Sequence, residues 1–253
     1  MRRYGTFIGL VIGIAAIFGS FFFEGGSVRA LFLLPPLIVV FGGTFATAII
    51  GSGWERFSGA WVYVKVAVLP RPYDPLELVD RLVQFSIRAR KEGLLSLESE
   101  VKLIEHPQLR RWMQLAIDGT DTDSIRMIAE GELQHMAQRH SINAGLFSKM
   151  GGYAPTMGII GTVMGLIMTL ASAGEDPNAL IHNMASAFIA TLWGIFSANI
   201  IWLPVSDRLK LCHLEEKQYL EILLEGVLAI QQGEVSNILR AKLMSSLPAN
   251  RAE

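Results

Sequence analysis

Pro155, Gly158, Thr162, Gly165 and Thr169 follow one another at intervals of 3, 4, 3 and 4 residues. That spacing stacks side chains on one face of an α-helix. Ala187, Thr191, Gly194 and Ala198 form a similar stripe at intervals of 4, 3 and 4. Residues 150–170, MGGYAPTMGIIGTVMGLIMTL, hold five glycines and three threonines but no charge. Small and hydroxyl residues in such a setting admit two readings. In one, both stripes are packing seams that let helix backbones approach, with Thr162 and Thr191 bonding their own backbones. In the other they form one wall of an ion path, where the hydroxyls bridge water or a partly dehydrated cation. Ion-driven membrane machinery carries an intramembrane carboxylate. Here the carboxylate would come from a partner helix sliding or rotating against the stripe. Taken alone, the spacing favours the seam.

The elements that must position these residues are membrane helices. The hydrophobic fraction is 51%, only 18% of residues are charged, and mean hydropathy is +0.38. Residues 5–23, 30–50, 150–172 and 184–203 contain no Asp, Glu, Lys or Arg. Each is close to the roughly 20 apolar residues that cross a bilayer core of about 30 Å. Arg2 and Arg3 before the first run resemble a secretory signal, but no clean cleavage site follows and a second run begins soon after. The expected fold is an all-α integral membrane protein with four spans and a helical cytoplasmic domain between spans 2 and 3. With Arg2 and Arg3 inside, both termini and residues 51–149 are cytoplasmic, and of the 22 Lys and Arg residues Arg29 alone lies outside. Cys212 is the single cysteine, so no intrachain disulfide exists.

The expected organisation is a membrane hairpin over 1–50, a cytoplasmic insertion over 51–149, spans 3 and 4 over 150–204, and C-terminal helices with a tail over 205–253. Gly25 and Gly26 turn the hairpin, Gly9 and Gly13 give its first span a close-packing face, and Pro35-Pro36 kink or break the second. Residues 54–69 mix Trp, Tyr and isolated basic residues with apolar ones, which reads as an interfacial helix. PRPYDP opens the soluble insertion, and Asp74-Pro75 starts an amphipathic helix ending near Gly93. LLSLESEVKLI is a second helix stopped at His106-Pro107, and QLRRWMQLAI a third broken at Asp118-Gly119. Residues 120–148 run on into the third span. Residues 207–232 repeat leucines at helical spacing, Gly233 ends them, and a short helix and a loose tail follow.

Enzyme chemistry is missing. No phosphate-binding loop, nucleophile elbow or metal-ligand motif is present, and no cofactor is expected. His135 and His140 are five apart and do not share the face a helical zinc site needs. Arg110-Arg111 and the other basic residues are scattered among acidic ones, against nucleic-acid binding.

GGYAPTMGIIGTVMGLI followed by MASAFIATLWGIFSANIIWLPVSDRLK resembles the MotA/PomA family of flagellar motor stator subunits. RARKEGLLSLE (88–98) and ELQHMAQRH (132–140) resemble it too, and the likeness covers nearly the whole chain. The resemblance implies an ion-conducting stator subunit of the bacterial inner membrane: a ring of five around two copies of a MotB-like partner. That partner supplies one membrane helix with an aspartate and a peptidoglycan-binding domain. It implies ion-path roles for Thr162, Thr191 and Ala190, and coupling roles for Pro155 and Pro204. Pro204 also reads as the simple terminator of its span. Gly158, Gly165, Thr169, Ala187, Gly194 and Ala198 would pack on the partner helix, and Arg90, Lys91 and Glu98 would meet the rotor ring. Sodium-type relatives tend to have adjacent threonines where this chain has Ala190-Thr191, so the transported ion is read as H+ rather than Na+. The competing readings are a TolQ/ExbB-type transducer, another stator-like motor unit, or a passive scaffold. Two spans before the insertion favour the stator over the TolQ/ExbB type.

Overall fold

A computed structural model of the chain describes residues 5–70, 73–172 and 177–247. Arg2 and Arg3, Arg71 and Pro72 of the PRPYDP turn, residues 173–176 and the tail from 248 lie outside them. Every regular element among the described residues is helical. Three helices are long and apolar enough to cross a membrane: Leu34–Ser52, Thr122–Ala171 and Pro177–Gln231. Phe7–Phe23 is a shorter apolar helix.

The chain divides into two units, Met1–Arg71 with His140–Cys212, and Pro72–Arg139 with His213–Glu253.

In the first unit, α1 spans Gly5–Phe23, and Gly25 (φ 83°) turns the chain. Gly13 packs closely on the π-helical stretch near residue 200 of the same chain, since a Cβ there would lie 3.1 Å from Ile200 Cδ1; around Gly9 there is open space. The helical turn α2, Val28–Leu31, stops at Phe32, and α3, Leu34–Leu37, begins after an extended Leu33. Pro35 and Pro36 occupy the first turn of α3, where a missing N–H breaks no helical bond. The expected break is therefore real, and the prolines start the next helix rather than kink it. A π-helical stretch, Ile38–Gly42, leads into α4, Gly43–Ser52. Gly53, with φ 82°, separates α4 from α5, Trp54–Val68.

The 50-residue α9, Thr122–Ala171, carries residues 122–148 of the expected 120–148 into the apolar stretch without interruption, with Pro155 inside it. Then come α10, Pro177–Phe196, a π-helical Ser197–Trp202 and α11, Leu203–Gln231. Pro204 therefore does not terminate a helix, contrary to the simpler expectation. The reason lies in the wide turn before it, where the Leu203 N–H bonds Ala198 O, five residues back. A proline in a regular helix clashes with the carbonyl four residues earlier. The π-type register moves that carbonyl aside and lets the helix continue.

Two clusters hold this unit. Phe57, Phe147, Met150, Ala154, Ala198 and Trp202 pack in one, and Val40, Ile189, Ala190, Trp193 and Phe196 in the other. Trp193 closes the gap left at Phe32: its Nε1–H donates to Leu31 O at 2.7 Å, a carbonyl at the end of a broken helix. The rings of Phe18, Phe32, Phe41 and Phe196 surround it.

The second unit has its own core. Asp74 caps α6, Pro75–Glu92, by accepting from the Leu76 N–H at 3.0 Å. Gly93 (φ 84°) ends it. The expected second helix is a 3-10 turn, Leu94–Leu97, followed by the short α7, Glu98–Lys102. Leu97 and Val101 bury their side chains fully, and this anchoring shapes the segment more than its helical propensity. His106 caps α8, Pro107–Ile117, and Gly119 (φ 80°) breaks the chain before α9. Trp112, Met113, Ile125, Leu223 and Leu228 fill the interior. At Gly226 a Cβ would lie 2.5 Å from Leu82 Cδ1, so glycine sets how closely α11 and α6 approach. After Gly233 (φ 70°), α12, Ser236–Ser245, packs back on α6, where Arg240 pairs with Asp80 at 2.9 Å.

Candidate functional site

The two stripes face each other within one chain. A Cβ on Gly158 would lie 2.9 Å from Ala190 O, and one on Gly194 would lie 2.8 Å from Ala154 O and 3.0 Å from Gly158 Cα. A Cβ on Gly165 would lie 2.8 Å from Ala187 Cβ. Gly158, Gly165, Ala187 and Gly194 are thus used in the seam between α9 and α10, as the packing reading expects. Ala198 is buried with Ala154 in the same unit. Gly161, which the stripe omitted, belongs to the seam as well: a Cβ there would lie 2.6 Å from Ala190 Cβ. Its spacing of three from Gly158 and four from Gly165 already carried that signal.

The threonines do more than fill space. Thr162 Oγ1 lies 3.0 Å from Gly158 O on its own helix and 3.1 Å from Ala187 O on the facing one. It also meets the Thr191 hydroxyl directly. Each hydroxyl has one proton, and a carbonyl can only accept. If Thr191 donates to Thr162, the single Thr162 proton must serve two carbonyls. Four oxygens therefore share two hydroxyl protons, in a helix pair without a charged side chain along residues 150–172. Such a cluster is rich in acceptors and suited to an incoming proton donor, water or cation. Both hydroxyl residues are half-buried, whereas Gly158 and Gly194 behind them are closed off. Thr169 only donates back to Gly165 O, at 2.9 Å, as the backbone-bonding reading expects.

The other ion-path candidate lies elsewhere on the seam. Ala190 is buried against Gly161 and within the Trp193 cluster. Pro155 is half-buried inside α9, and Pro204 is exposed one residue into α11.

The charged candidates sit together around the α6–α7 connection. Arg90 and Lys91 are exposed in the last turn of α6 and make no ion pair among the described residues. Glu98 opens α7 and pairs with Lys102 at 2.7 Å. Sequence reading passed over Arg88, which holds this connection by pairing with Glu92 at 3.1 Å and also with Glu100. The Arg88–Glu92 spacing of four was legible in the sequence; the bond to Glu100 depends on the turn at Gly93.

The fold is that of an integral membrane protein of apolar helices, two of which meet in a seam of small residues and hydroxyls. Residues 100–222 match the MotA/TolQ/ExbB proton channel family, and residues 7–93 match the motility protein A N-terminal family. Motility protein A of Treponema pallidum is 35% identical over 98% of this chain and 95% of its own length. Chemotaxis protein PomA of Vibrio alginolyticus is 30% identical over 96% of this chain and 94% of its own. Among solved structures, C. jejuni MotAB superposes with a TM-score of 0.92 at 27% identity, covering 98% of this chain and 96% of that one. The flagellar MotAB stator complex of Bacillus subtilis gives 0.89 at 30%, covering 97% and 96%. The chain belongs to the motility protein A family and is a subunit of the flagellar motor stator, not an enzyme. Its apolar helices and its family agree in making it a protein of the bacterial inner membrane.

Proposed function

We propose that this chain couples proton flow to torque on the flagellar rotor, as a homo-oligomer around a partner that carries a membrane carboxylate. The observation that supports this most directly is the oxygen cluster of Thr162, Thr191, Gly158 and Ala187 in a charge-free helix pair. A carboxylate in hydrocarbon is costly when charged and unpaired, and far less so when protonated. Hydroxyls beside its path stabilise the charged form, so protonation changes how strongly the partner helix holds to the wall. Ion movement releases about 2.3 kcal/mol per charge per 100 mV, enough to drive such a change repeatedly.

The match to two MotAB complexes over nearly the full chain supports a MotB-like partner. The family resemblance supports five copies around two. Protons are favoured over sodium because Ala190 adds no hydroxyl ligand beside Thr191 and the family is one of proton channels. In this reading Phe7–Phe23 joins the three longer helices as a fourth span, since 17 residues is the shortest length that crosses a bilayer. Both termini and the insertion are cytoplasmic, as the distribution of basic residues favours. The domain bounds follow the charge-free runs: hairpin 1–50, insertion 51–149, ion-path spans 150–204 and C-terminal helices 205–253. Arg90, Lys91 and Glu98 meet the rotor ring, where exposed charges give fast, reversible contact. Pro155 and Pro204 provide the bend through which the wall responds. The partner helix lies along the half-buried threonine side of the seam, touching Thr162, Thr191, Thr169 and Gly165, while Gly158, Ala187, Gly194 and Ala198, closed off within the seam, shape that wall from behind.

Deleting the gene tests the reading. Flagella should assemble but not turn, restoring the gene should restore swimming, and a protonophore should abolish it while sodium removal should not. Normal swimming of the deletion strain in a background without a second stator would refute it.

A further inference from the structure

The second unit contains a pocket of about 350 Å³ between α8, α9 and α11 that the ion path does not use. Its size falls at the lower end of the roughly 300–1,000 Å³ typical of small-molecule sites. On α8, Gln108 and Arg111 line it; on α9, His135 and Arg139 do. The spacings of three and four residues put each pair on one helix face. The floor is apolar, formed by Leu133, Met136 and Leu220.

One carboxylate lies in the pocket, and it is already engaged. Glu132 takes the Trp112 Nε1–H at 3.1 Å and pairs with Arg111 Nη1 at 2.8 Å. It holds Arg111 in place rather than offering a site for a cation. Arg139 and His135 make no ion pair among the described residues. What remains for a ligand is a set of donors: two guanidinium groups, an imidazole and an amide over an apolar base. Guanidinium groups match the oxygens of a phosphate in paired, directional hydrogen bonds.

We propose that this pocket binds a small phosphate-bearing metabolite, held by Arg139, Arg111, His135 and Gln108 through its phosphate. The pocket's volume of about 350 Å³ favours a small molecule over an acidic peptide. The site gives a reason for the charged stretch ELQHMAQRH that neither the ion path nor the rotor contacts supply.

The test uses the full-length chain co-purified with its partner subunit, with inorganic phosphate and AMP as probes in equilibrium dialysis. Saturable binding of either probe is expected, weakened about tenfold or more by R139Q, the cost of one charge-assisted hydrogen bond. R110Q, a change outside the pocket lining, should bind as the wild type does. Tighter AMP than phosphate binding identifies the source as a phosphate ester; the reverse identifies free phosphate. Thermal unfolding of R139Q should match the wild type, because the side chain is exposed. Absence of saturable binding of both probes at millimolar concentration would overturn the proposal, as would equal affinity in R139Q.

Discussion

Gly158 and Gly194 stand back to back across the α9–α10 seam: a Cβ on Gly194 would lie 3.0 Å from Gly158 Cα. Neither position has room for a methyl group without moving backbone. The seam carries Thr162 and Thr191 into contact, so the glycines set the geometry of the hydroxyl cluster.

Gly158→Ala should therefore push the helices apart and lower stability by about 1–3 kcal/mol, the usual cost of overpacking. Gly152, on the same helix, has no atom within 4 Å of a Cβ. Gly152→Ala should be neutral or add up to about 1 kcal/mol through helix propensity. Thermal unfolding of the purified complex compares the two, and equal melting temperatures would argue against a tight seam.

Removal of the Thr162 hydroxyl should slow ion flow without unfolding the bundle. Thr162→Val keeps the shape but loses the donor, and proton influx should fall about tenfold, the equivalent of one hydrogen bond at ~1.4 kcal/mol. Thr162→Ser keeps the hydroxyl and should keep most of the flux. Cytoplasmic pH recorded in cells expressing each variant with the partner distinguishes them; equal flux in both would remove the hydroxyl from the ion path.

Trp193→Phe should cost about 1–3 kcal/mol, because Leu31 O is left without its donor in an apolar setting. The surrounding aromatic rings still pack on a phenylalanine, so the loss reports the hydrogen bond. Chemical unfolding of the complex measures it.

His106 predicts a pH dependence. Its imidazole accepts the Leu109 N–H at 3.5 Å as the cap of α8 and packs at a tilt against the Tyr219 ring. Burial lowers its pKa below the ordinary histidine value, with Glu216 opposing. A histidine with a depressed folded pKa is neutral in the fold and takes up its proton more readily when unfolded. Its contribution is complete above the unfolded pKa of about 6.5 and fades as pH falls through the lower folded value. Unfolding followed from pH 7.5 down to 5 should show weakening on the acid side. His106→Asn, which caps without titrating, should flatten that part of the curve.

Arg90→Glu and Lys91→Glu should reduce swimming while leaving stability within about 0.5 kcal/mol, since neither side chain is paired in the described structure. Glu98→Gln loses the exposed pair with Lys102, worth at most about 1 kcal/mol. Soft-agar motility beside melting curves separates rotor contact from fold; a stability loss matching the motility loss would argue against a rotor role.

Most helices were legible in the sequence, because their ends carry local signals. Asp74-Pro75, Gly93, His106-Pro107, Gly119 and Gly233 mark boundaries whose cause lies within a few residues. The resemblance read from residues 151–167 and 184–210 holds across nearly the full chain. That the helix runs on through Pro204 was not legible, because proline's effect depends on the register of the turn before it. The π-helical Ser197–Trp202 has no composition that announces it. Likewise, the break at Phe32 was foreseen from Pro35-Pro36, but not that Trp193, 162 residues away, would satisfy the carbonyl it exposes.

By itself, the sequence determined that this chain is helical, largely apolar, free of charge in its long apolar runs, and marked by two stripes of small and hydroxyl residues. These are properties of composition and period, which survive without knowing what any face touches. Only the tertiary structure decided that the two stripes meet each other, glycine against glycine, and that Thr162 and Thr191 share their protons with carbonyls of both helices. The physical reason is that a periodic stripe specifies a face but not its occupant. The partner of a face is set by long-range packing, and there the absence of Cβ atoms at Gly158 and Gly194 lets two helices of one chain approach closely.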